Sequence, residues 1–294
     1  MDPILIQNIT IDPLDLKEFG NAKVVVDVLR LDKVHSEISG NKWFKLQFYL
    51  QDAIRQNKKI VTFGGAWSNH ILAVAAACSF HKIDCVGIIR GEKTNALSET
   101  LIKAEQLGMR IEFIDRQNYK AGILPEEFTN EKYYIIPAGG YGVKGAEGAA
   151  GITDHVDTKV YSGIYCAIGT GTMMAGLMIK ERTTPVIGMS VLKNNHSAES
   201  DIRHLLPEEL NSLQIINDYH FGGYAKYTNE LIEFMNNCYQ QSGIPTDFVY
   251  TGKLFFGVTE LIRKNLIETG SRILLIHSGG LQGNLSLRKG TLIF

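Results

Sequence analysis

The chain has 294 residues, of which 45% are hydrophobic and 21% are charged, and its formal net charge is −1. These values are typical of a globular protein with one large or two modest hydrophobic cores. The sequence has no arginine-rich tract, so we expect no nucleic-acid binding. No apolar run reaches the roughly 18 residues that a membrane span needs, so we expect no membrane insertion.

Short apolar runs alternate with helical patterns along nearly the whole chain. Strands are predicted at 23–30, 60–63, 85–89, 111–114, 133–136, 164–168, 186–191 and 273–276. Helices are predicted at 43–56, 69–81, 96–107, 172–180, 228–241 and 253–269. Several strands are apolar at consecutive positions, which is typical of a parallel sheet buried on both faces. The alternation predicts an α/β fold with doubly wound sheets.

The segment 136–151 contains six glycines between a predicted strand and the next element. We interpret it as a loop, or a crossing point between two α/β units, and we place a domain boundary near residue 150.

A lysine follows a Gly-Asn turn at the start of the first predicted helix, in the sequence GNKWFKL at 40–46. Burial at such a turn would lower the pKa of the Lys42 amine and allow it to form a Schiff base with a carbonyl cofactor. The alternatives are that Lys42 is an ordinary surface lysine, or that Lys45, one helical turn later, has this role.

The second motif, GGAWSNH at 64–70, follows a predicted strand and places three polar residues where the next helix begins. Ser68 fits either a helix N-cap or a catalytic hydroxyl. Asn69 fits either a turn residue or a cofactor ligand, and His70 either core packing or cofactor contact.

The third motif, Gly169-Thr170-Gly171-Thr172, joins a predicted strand to a predicted helix. Backbone amides at such a helix start, with two threonine hydroxyls, favour a phosphate group. The next glycine is Gly176, which does not fit the dinucleotide fingerprint, and no Gly-Lys-Ser/Thr ending supports a P-loop. A monophosphate is the better match, and a purely structural turn is the alternative.

The four cysteines form no C-x-x-C pair, and the eight histidines show no metal-ligand spacing. We therefore expect no metal site, and free cysteines in a reducing compartment. The N-terminal residues lack the basic and apolar regions of a signal peptide, so we predict a cytoplasmic protein.

With these motifs in view, the chain resembles a family of pyridoxal 5′-phosphate (PLP) enzymes, that of D-cysteine desulfhydrase and 1-aminocyclopropane-1-carboxylate deaminase. The matching segments are GNKxxKL at 40–46, GGxxSNH at 64–70, IPAGG at 136–140, GTGT at 169–172, FGGY at 221–224, VYTGK at 249–253 and HSGG at 277–280. The resemblance implies a tryptophan-synthase-β-like fold with two doubly wound domains and mostly parallel sheets. It places residues 1–44 and 152–294 in a larger PLP-binding domain and residues 45–151 in a smaller one, and it implies a homodimer.

The resemblance also implies roles for single residues. Lys42 matches the Schiff-base lysine, Asn69 a ligand of the phenolic oxygen of PLP, and Ser68 a residue that acts on the substrate. Residues 169–172 match the phosphate site. Tyr224 and Tyr250 match tyrosines that face the substrate, although packing tyrosines are the alternative. Thr251 and Ser278 match positions near the pyridine nitrogen.

The implied reaction is β-elimination from a small amino acid, which gives a keto acid and ammonia. Deaminases of the family carry Glu and Leu where this chain has Thr251 and Ser278. A neutral hydroxyl does not raise the pKa of the pyridine nitrogen as a carboxylate would, so we predict a D-cysteine desulfhydrase-like enzyme. The alternatives are a deaminase of 1-aminocyclopropane-1-carboxylate and a non-catalytic PLP-binding protein. Phe44 and Trp67 depart from the family pattern beside the motifs and leave the substrate open.

Overall fold

A computed structural model describes residues 6–15, 24–93, 96–207 and 212–294. Its strands are β1 Ile11–Pro13, β2 Val25–Arg30, β3 Lys59–Gly64, β4 Cys85–Arg90, β5 Met109–Ile114, β6 Tyr133–Ile136, β7 Gly163–Ile168, β8 Val186–Ser190, β9 Gln214–Ile216 and β10 Arg272–His277. Its α-helices are α1 Asn41–Arg55, α2 Asn69–His81, α3 Glu99–Gln106, α4 Arg116–Lys120, α5 Val143–Ala150, α6 Thr172–Lys180, α7 Ala198–Arg203, α8 Asn229–Ser242 and α9 Thr251–Arg263.

The strands form two sheets. The larger has the order β1-β2-β10-β7-β8-β9 and the smaller the order β5-β4-β3-β6. Every pair of neighbouring strands is parallel except β1 and β2, which are antiparallel. The predicted α/β fold with mostly parallel sheets is confirmed.

Both sheets are covered on both faces. In β10, Ile273 and Leu275 belong to one hydrophobic cluster, whereas Leu274 and Ile276 belong to another. Successive side chains of a strand point to opposite faces, so the two clusters are the two layers that cover the larger sheet. The smaller sheet likewise has two clusters. This arrangement confirms the doubly wound architecture.

The eight predicted strands all form, with ends that shift by one or two residues. The predicted start of the first strand at Lys23 lies outside the described residues, and β2 begins at Val25. The edge strands β1 and β9 were not predicted, because three residues are too few to show an alternating pattern.

The interpretation of 136–151 as a loop is wrong in its second half, where α5 forms. Glycine disfavours helices, and α5 contains Gly145 and Gly148. A Cβ atom at Gly148 would overlap the carbonyl oxygen of Phe44 in α1, and one at Gly145 would overlap that of Gly140. The glycines therefore let α5 pack closely against its neighbours, and this packing outweighs their low helix propensity.

The division into domains at residues 44/45 and 151/152 stays a prediction. Helix α1 crosses the first of these positions. Its later residues, such as Leu46 and Leu50, pack in a cluster of the smaller sheet, whereas its start is bonded to the loop after β10 of the larger sheet. None of the helices in the described ranges is long and apolar enough to cross a membrane.

Candidate active site

A cavity of about 430 Å³ lies where β3, β4, β7 and β10 end. In α/β proteins the carboxyl ends of parallel strands are the usual place of a ligand site. Ten of the predicted site residues line this cavity: Lys42, Ser68, Asn69, His70, Gly169, Thr170, Gly171, Tyr224, Tyr250 and Ser278. Thr172 and Thr251 are fully buried and are not among the residues that line it.

Lys42 and Lys45 reach the cavity from the first two turns of α1. Gly40 precedes the helix with φ 65°, and a Cβ atom there would overlap the carbonyl oxygen of Ser278. The Asn41 amide donates to that same oxygen at 3.1 Å, so the helix start is fixed to the loop after β10. The Lys42 amine donates to the Asn41 Oδ1 atom at 2.9 Å.

The two lysines differ in their surroundings. Burial lowers the pKa of the Lys42 amine to about 8, against an opposing effect of the Asp247 charge. Burial, together with the charge of Lys42, lowers the pKa of Lys45 well below its usual value. The Lys45 amine lies 3.4 Å from the Thr170 hydroxyl, at the predicted phosphate loop.

Ser68 and Asn69 begin α2. The Ser68 hydroxyl accepts a hydrogen bond from the Ile71 amide at 3.4 Å, so Ser68 is the N-cap of this helix and also faces the cavity. The Asn69 side chain donates to the Gly280 carbonyl at 3.3 Å and thereby joins α2 to the loop after β10. Its Oδ1 atom is buried and has no hydrogen-bond partner among the described residues.

His70 has one bonded and one unbonded ring nitrogen. Its Nε2 atom lies 2.8 Å from the Thr62 hydroxyl, which donates to the Ile136 carbonyl at 2.9 Å. The single proton of that hydroxyl is used, so Nε2 must be the donor to Thr62 and Nδ1 the acceptor. The Nδ1 atom is buried, and no residue in the described part of the chain is its hydrogen-bond partner. Burial and the charges of Lys42 and Lys45 hold the pKa of His70 well below its usual value, so the ring is neutral.

The loop 169–172 joins β7 to α6. Gly171 caps α6 with φ 76°, and a Cβ atom there would overlap the Ile202 side chain. The hydroxyls of Thr170 and Thr172 lie 2.9 Å apart. The first amides of a helix have no partners within it, so this helix start can bind an anion.

Tyr224 and Tyr250 pack edge to face with ring centroids 6.3 Å apart. The loss of water around the two hydroxyls raises the pKa of both, although the Tyr224 side chain as a whole is 47% exposed, and it holds the pKa of Tyr250 well above its usual value. Both hydroxyls therefore keep their protons at neutral pH.

Thr251 lies behind the cavity wall. Its hydroxyl donates to the Asp247 Oδ2 atom at 2.7 Å and accepts from the Asp247 amide at 2.8 Å. The Asp247 carboxylate also accepts from the amides of Val249, Tyr250 and Thr251, so it fixes the turn from which α9 begins. The role of Thr251 as a cofactor ligand stays a prediction, and its hydroxyl is already bonded on both sides.

Asp247, Arg90 and Tyr119 were not identified from the sequence. Arg90 ends β4, lines the cavity and lies with its guanidinium 5.9 Å from the ring centroid of Tyr119. A cation directly after a buried strand is the signal that could have identified it. The described lining contains the cations Lys42, Lys45 and Arg90 and no Asp or Glu, which suits an anionic ligand.

These features fit PLP. The helix start at 169–172 and Lys45 suit a phosphate group, and the Lys42 amine suits an aldehyde. The unpaired buried Asn69 Oδ1 atom indicates that the wall is built for a polar ligand. In the described residues no group of three or more His, Cys, Asp and Glu side chains could hold a metal ion.

Comparison with known proteins decides the family. Residues 13–279 match the family model of the pyridoxal-phosphate-dependent enzymes. The chain belongs to this family. It is therefore a PLP-dependent enzyme, which confirms the predicted cofactor and the predicted class.

Two relatives and one solved structure show which members of this family the chain resembles. A putative 1-aminocyclopropane-1-carboxylate deaminase of Pyrococcus furiosus is 31% identical over 280 residues, covering 87% of this chain and 84% of the relative. The mitochondrial bifunctional D-cysteine desulfhydrase/1-aminocyclopropane-1-carboxylate deaminase of Arabidopsis thaliana is 29% identical over 290 residues, covering 87% and 72%. The crystal structure of an ACC deaminase homologue aligns with a TM-score of 0.80 and 27% identity, covering 96% of this chain and 92% of that one. The fold and the family inferred from the motifs are confirmed.

Proposed function

We propose that the cavity holds PLP with its aldehyde on Lys42 and its phosphate at residues 169–172, beside Lys45. The single observation that carries this proposal is the convergence of a Lys amine with a lowered pKa and an anion-binding helix start on one cavity. Asn69 is proposed to bond the phenolic oxygen, and Ser278 to face the pyridine nitrogen. The proposed contact of His70 would use its unpaired Nδ1 atom.

PLP, when bound, supplies an electron sink for negative charge at the α-carbon of an amino acid. The residues of the chain supply proton transfer and orientation. The Lys42 amine, when it is free and neutral, is proposed to accept the α-proton, with assistance from Ser68 or one of the two tyrosines. Tyr224 and Tyr250 keep their protons at neutral pH, so either can protonate a leaving group.

The proposed substrate is a small amino acid with a leaving group on its β-carbon, with D-cysteine as the first candidate. The α-proton leaves, the bond from the β-carbon to sulfur breaks, and sulfide departs with the bonding electron pair. Hydrolysis of the remaining enamine gives a keto acid and ammonia. Support comes from Ser278 and Thr251, which are neutral hydroxyl residues and not carboxylates.

The second candidate is ring opening of 1-aminocyclopropane-1-carboxylate. It is favoured by the name of the P. furiosus relative, and the A. thaliana relative carries both activities in its name. Because Asp247 lies 2.7 Å from the Thr251 hydroxyl, a buried carboxylate is close to the position where the family's deaminases carry Glu. The clearer difference from the family's deaminases is therefore at position 278, where this chain has Ser and the deaminases have Leu.

The deciding experiment incubates the purified holoenzyme with D-cysteine, L-cysteine, D-serine and 1-aminocyclopropane-1-carboxylate while keto acid and ammonia are measured. We expect turnover of D-cysteine and little or none of the cyclopropane substrate. Turnover of the cyclopropane substrate alone would assign the chain to the deaminases.

We also propose a cytoplasmic homodimer. The dimer is supported by the family resemblance, and light scattering after size-exclusion chromatography tests it. The compartment is supported by Cys78, Cys85, Cys166 and Cys238, which are all buried and free.

A further inference from the structure

Lys253 is a buried charge that the proposed mechanism does not use. It lies in the first turn of α9 with none of its surface exposed. Its amine donates to the carbonyl oxygens of His220 at 2.9 Å and Gly223 at 2.7 Å, and lies 3.5 Å from that of Val191. Three acceptors match the three protons of an ammonium group. Main-chain oxygens are therefore the hydrogen-bond partners of this amine. Burial lowers its pKa to about 8, against an opposing effect of the Asp247 charge.

Two of the acceptors belong to the turn that carries Tyr224, residues 219–226, which we name the Tyr224 turn. Between residues 222 and 230, Gly223 alone is buried, and every other residue is exposed. Two backbone bonds lie within the turn, from the Gly223 amide to the His220 carbonyl at 3.0 Å and from the Lys226 amide to the Gly223 carbonyl at 3.2 Å. One of the two carbonyls of the turn that Lys253 bonds thus belongs to its one buried residue, Gly223.

The backbone of the Tyr224 turn is unusual. Phe221 and Ala225 have φ values of 51° and 52°, although neither is glycine. Left-handed conformations of such residues are costly and persist only where the surroundings impose them. A cation that attracts two carbonyl oxygens of the same turn is one such constraint.

The third acceptor is also close to the cavity. Val191 follows β8, and the next residue, Leu192, lines the cavity. Lys253 therefore bonds both segments of the wall, that of Leu192 and that of Tyr224, to the helix that begins beside Tyr250.

We propose that Lys253 is a positioning residue, whose ammonium group holds the Tyr224 turn so that Tyr224 packs against Tyr250 at the cavity. This inference rests on the proposed function in one respect, the placement of Tyr224 beside the substrate. The bonds from Lys253 to the turn do not depend on it.

The test is a double-mutant cycle on the PLP-loaded enzyme with Lys253→Met, Tyr224→Ala and the two changes together. Methionine keeps the length of the side chain and removes its donors. We expect Lys253→Met to lower kcat/KM about tenfold or more while PLP remains bound, and to cost less than about threefold in the Tyr224→Ala background, because coupled residues are not additive. Lys180→Met, which removes an exposed lysine at the end of α6, is the control and should leave kcat/KM unchanged.

An equal loss in both backgrounds would show that Lys253 does not act through Tyr224, and an unchanged kcat/KM would overturn the proposal outright. If Lys253→Met does not fold, Lys253→Gln replaces it in the same cycle.

Hydrogen exchange is a second, independent test of whether Lys253 holds the Tyr224 turn. In the wild-type protein we expect slow exchange of the Gly223 and Lys226 amides, although the turn is exposed, and faster exchange in Lys253→Gln. Rapid exchange of both amides in the wild-type protein contradicts the proposal even if no Lys253 variant folds. Failure of the proposed function would appear separately, as absence of PLP on Lys42 after borohydride reduction.

Discussion

Lys42 and Lys45 lie one turn apart at the start of α1, and the charge of Lys42 lowers the pKa of Lys45 beyond the effect of burial. Two ammonium groups in one cavity repel each other, so an anion that enters it is favoured by both. A phosphate at the predicted phosphate loop would favour the charged form of Lys45, whose amine lies 3.4 Å from the Thr170 hydroxyl.

We therefore predict that borohydride reduction of the PLP-loaded protein labels Lys42. Peptide mapping by mass spectrometry locates the label. Lys45→Met is the matched variant, which should keep the label on Lys42 while binding PLP more weakly. A label on Lys45 in the wild-type protein would contradict the assignment.

The rate at which PLP attaches to the cofactor-free protein should depend on pH. The pKa of Lys42 is lowered from 10.5 to about 8, so the amine is protonated below that pH and neutral above it. Only the neutral amine attacks an aldehyde, so the rate should rise as the pH passes through 8 and then level off. Stopped-flow absorbance of the cofactor measures this. A rate that is still rising near pH 10.5 would indicate an ordinary exposed lysine.

Replacing both Thr170 and Thr172 by Val should weaken PLP binding tenfold or more. Hydrogen bonds to a charged group contribute about 1.5–3 kcal/mol each, and valine keeps the shape of the buried Thr172 side chain. The dissociation constant is measured by titration of the cofactor-free protein, and circular dichroism confirms that the fold is kept. Unchanged affinity in the folded variant would place the phosphate elsewhere.

We propose that Arg90, a cation of the cavity lining, binds the carboxylate of the amino-acid substrate. Arg90→Met should then raise KM by about tenfold or more, since a charge-assisted bond of this kind contributes about 1.5–3 kcal/mol. The affinity for PLP should change little, because Lys45 and residues 169–172 remain. Arg182→Met removes an exposed arginine remote from the lining and serves as the control. Equal KM values for Arg90→Met and wild type would exclude this contact.

Two glycines three residues apart should respond oppositely to alanine. Gly148→Ala should lower the free energy of unfolding by about 1–3 kcal/mol, because the new methyl group overlaps the Phe44 carbonyl of α1. Gly151 has φ −66°, and a Cβ atom there makes only ordinary contacts, so Gly151→Ala should be neutral or stabilise by up to about 1 kcal/mol. Urea unfolding compares the two. Equal effects would show that α5 is not closely packed against α1.

The elements that the sequence predicted well are those in which local pattern and tertiary packing agree. Helix α2 has the predicted bounds because Ser68 caps it and because residues 71–78 are apolar or small and all buried. Helix α5 was missed because the reason for its glycines lies in α1, which is distant in sequence. The helix predicted at 253–269 runs from Thr251 to Arg263. It starts earlier than predicted because Asp247, which lies outside the apolar pattern, binds the amide of Thr251.

The residues of the candidate site also divide into those that a local sequence pattern identifies and those that depend on distant contacts. Lys42, Ser68, Asn69 and the loop 169–172 were found because each belongs to a contiguous motif. Asp247 and Arg90 were not, since each is a single charge whose meaning depends on partners far along the chain. Lys253 was found only as part of the segment VYTGK, with no role of its own. The Lys253 amine, for example, bonds carbonyls 30 and 33 residues away.

The strand order of the larger sheet also determines when the enzyme can first bind its cofactor during synthesis. β10 lies between β2 and β7 in that sheet, although it is the last strand of the described chain. The smaller sheet, at residues 59–136, can therefore fold while the ribosome is still translating, whereas the larger one stays split into separate parts until residue 277 has emerged. Ser278, Gly279 and Gly280 follow immediately and close the cavity wall. A nascent chain stalled before β10 should expose two unpaired strand edges and should have no affinity for PLP.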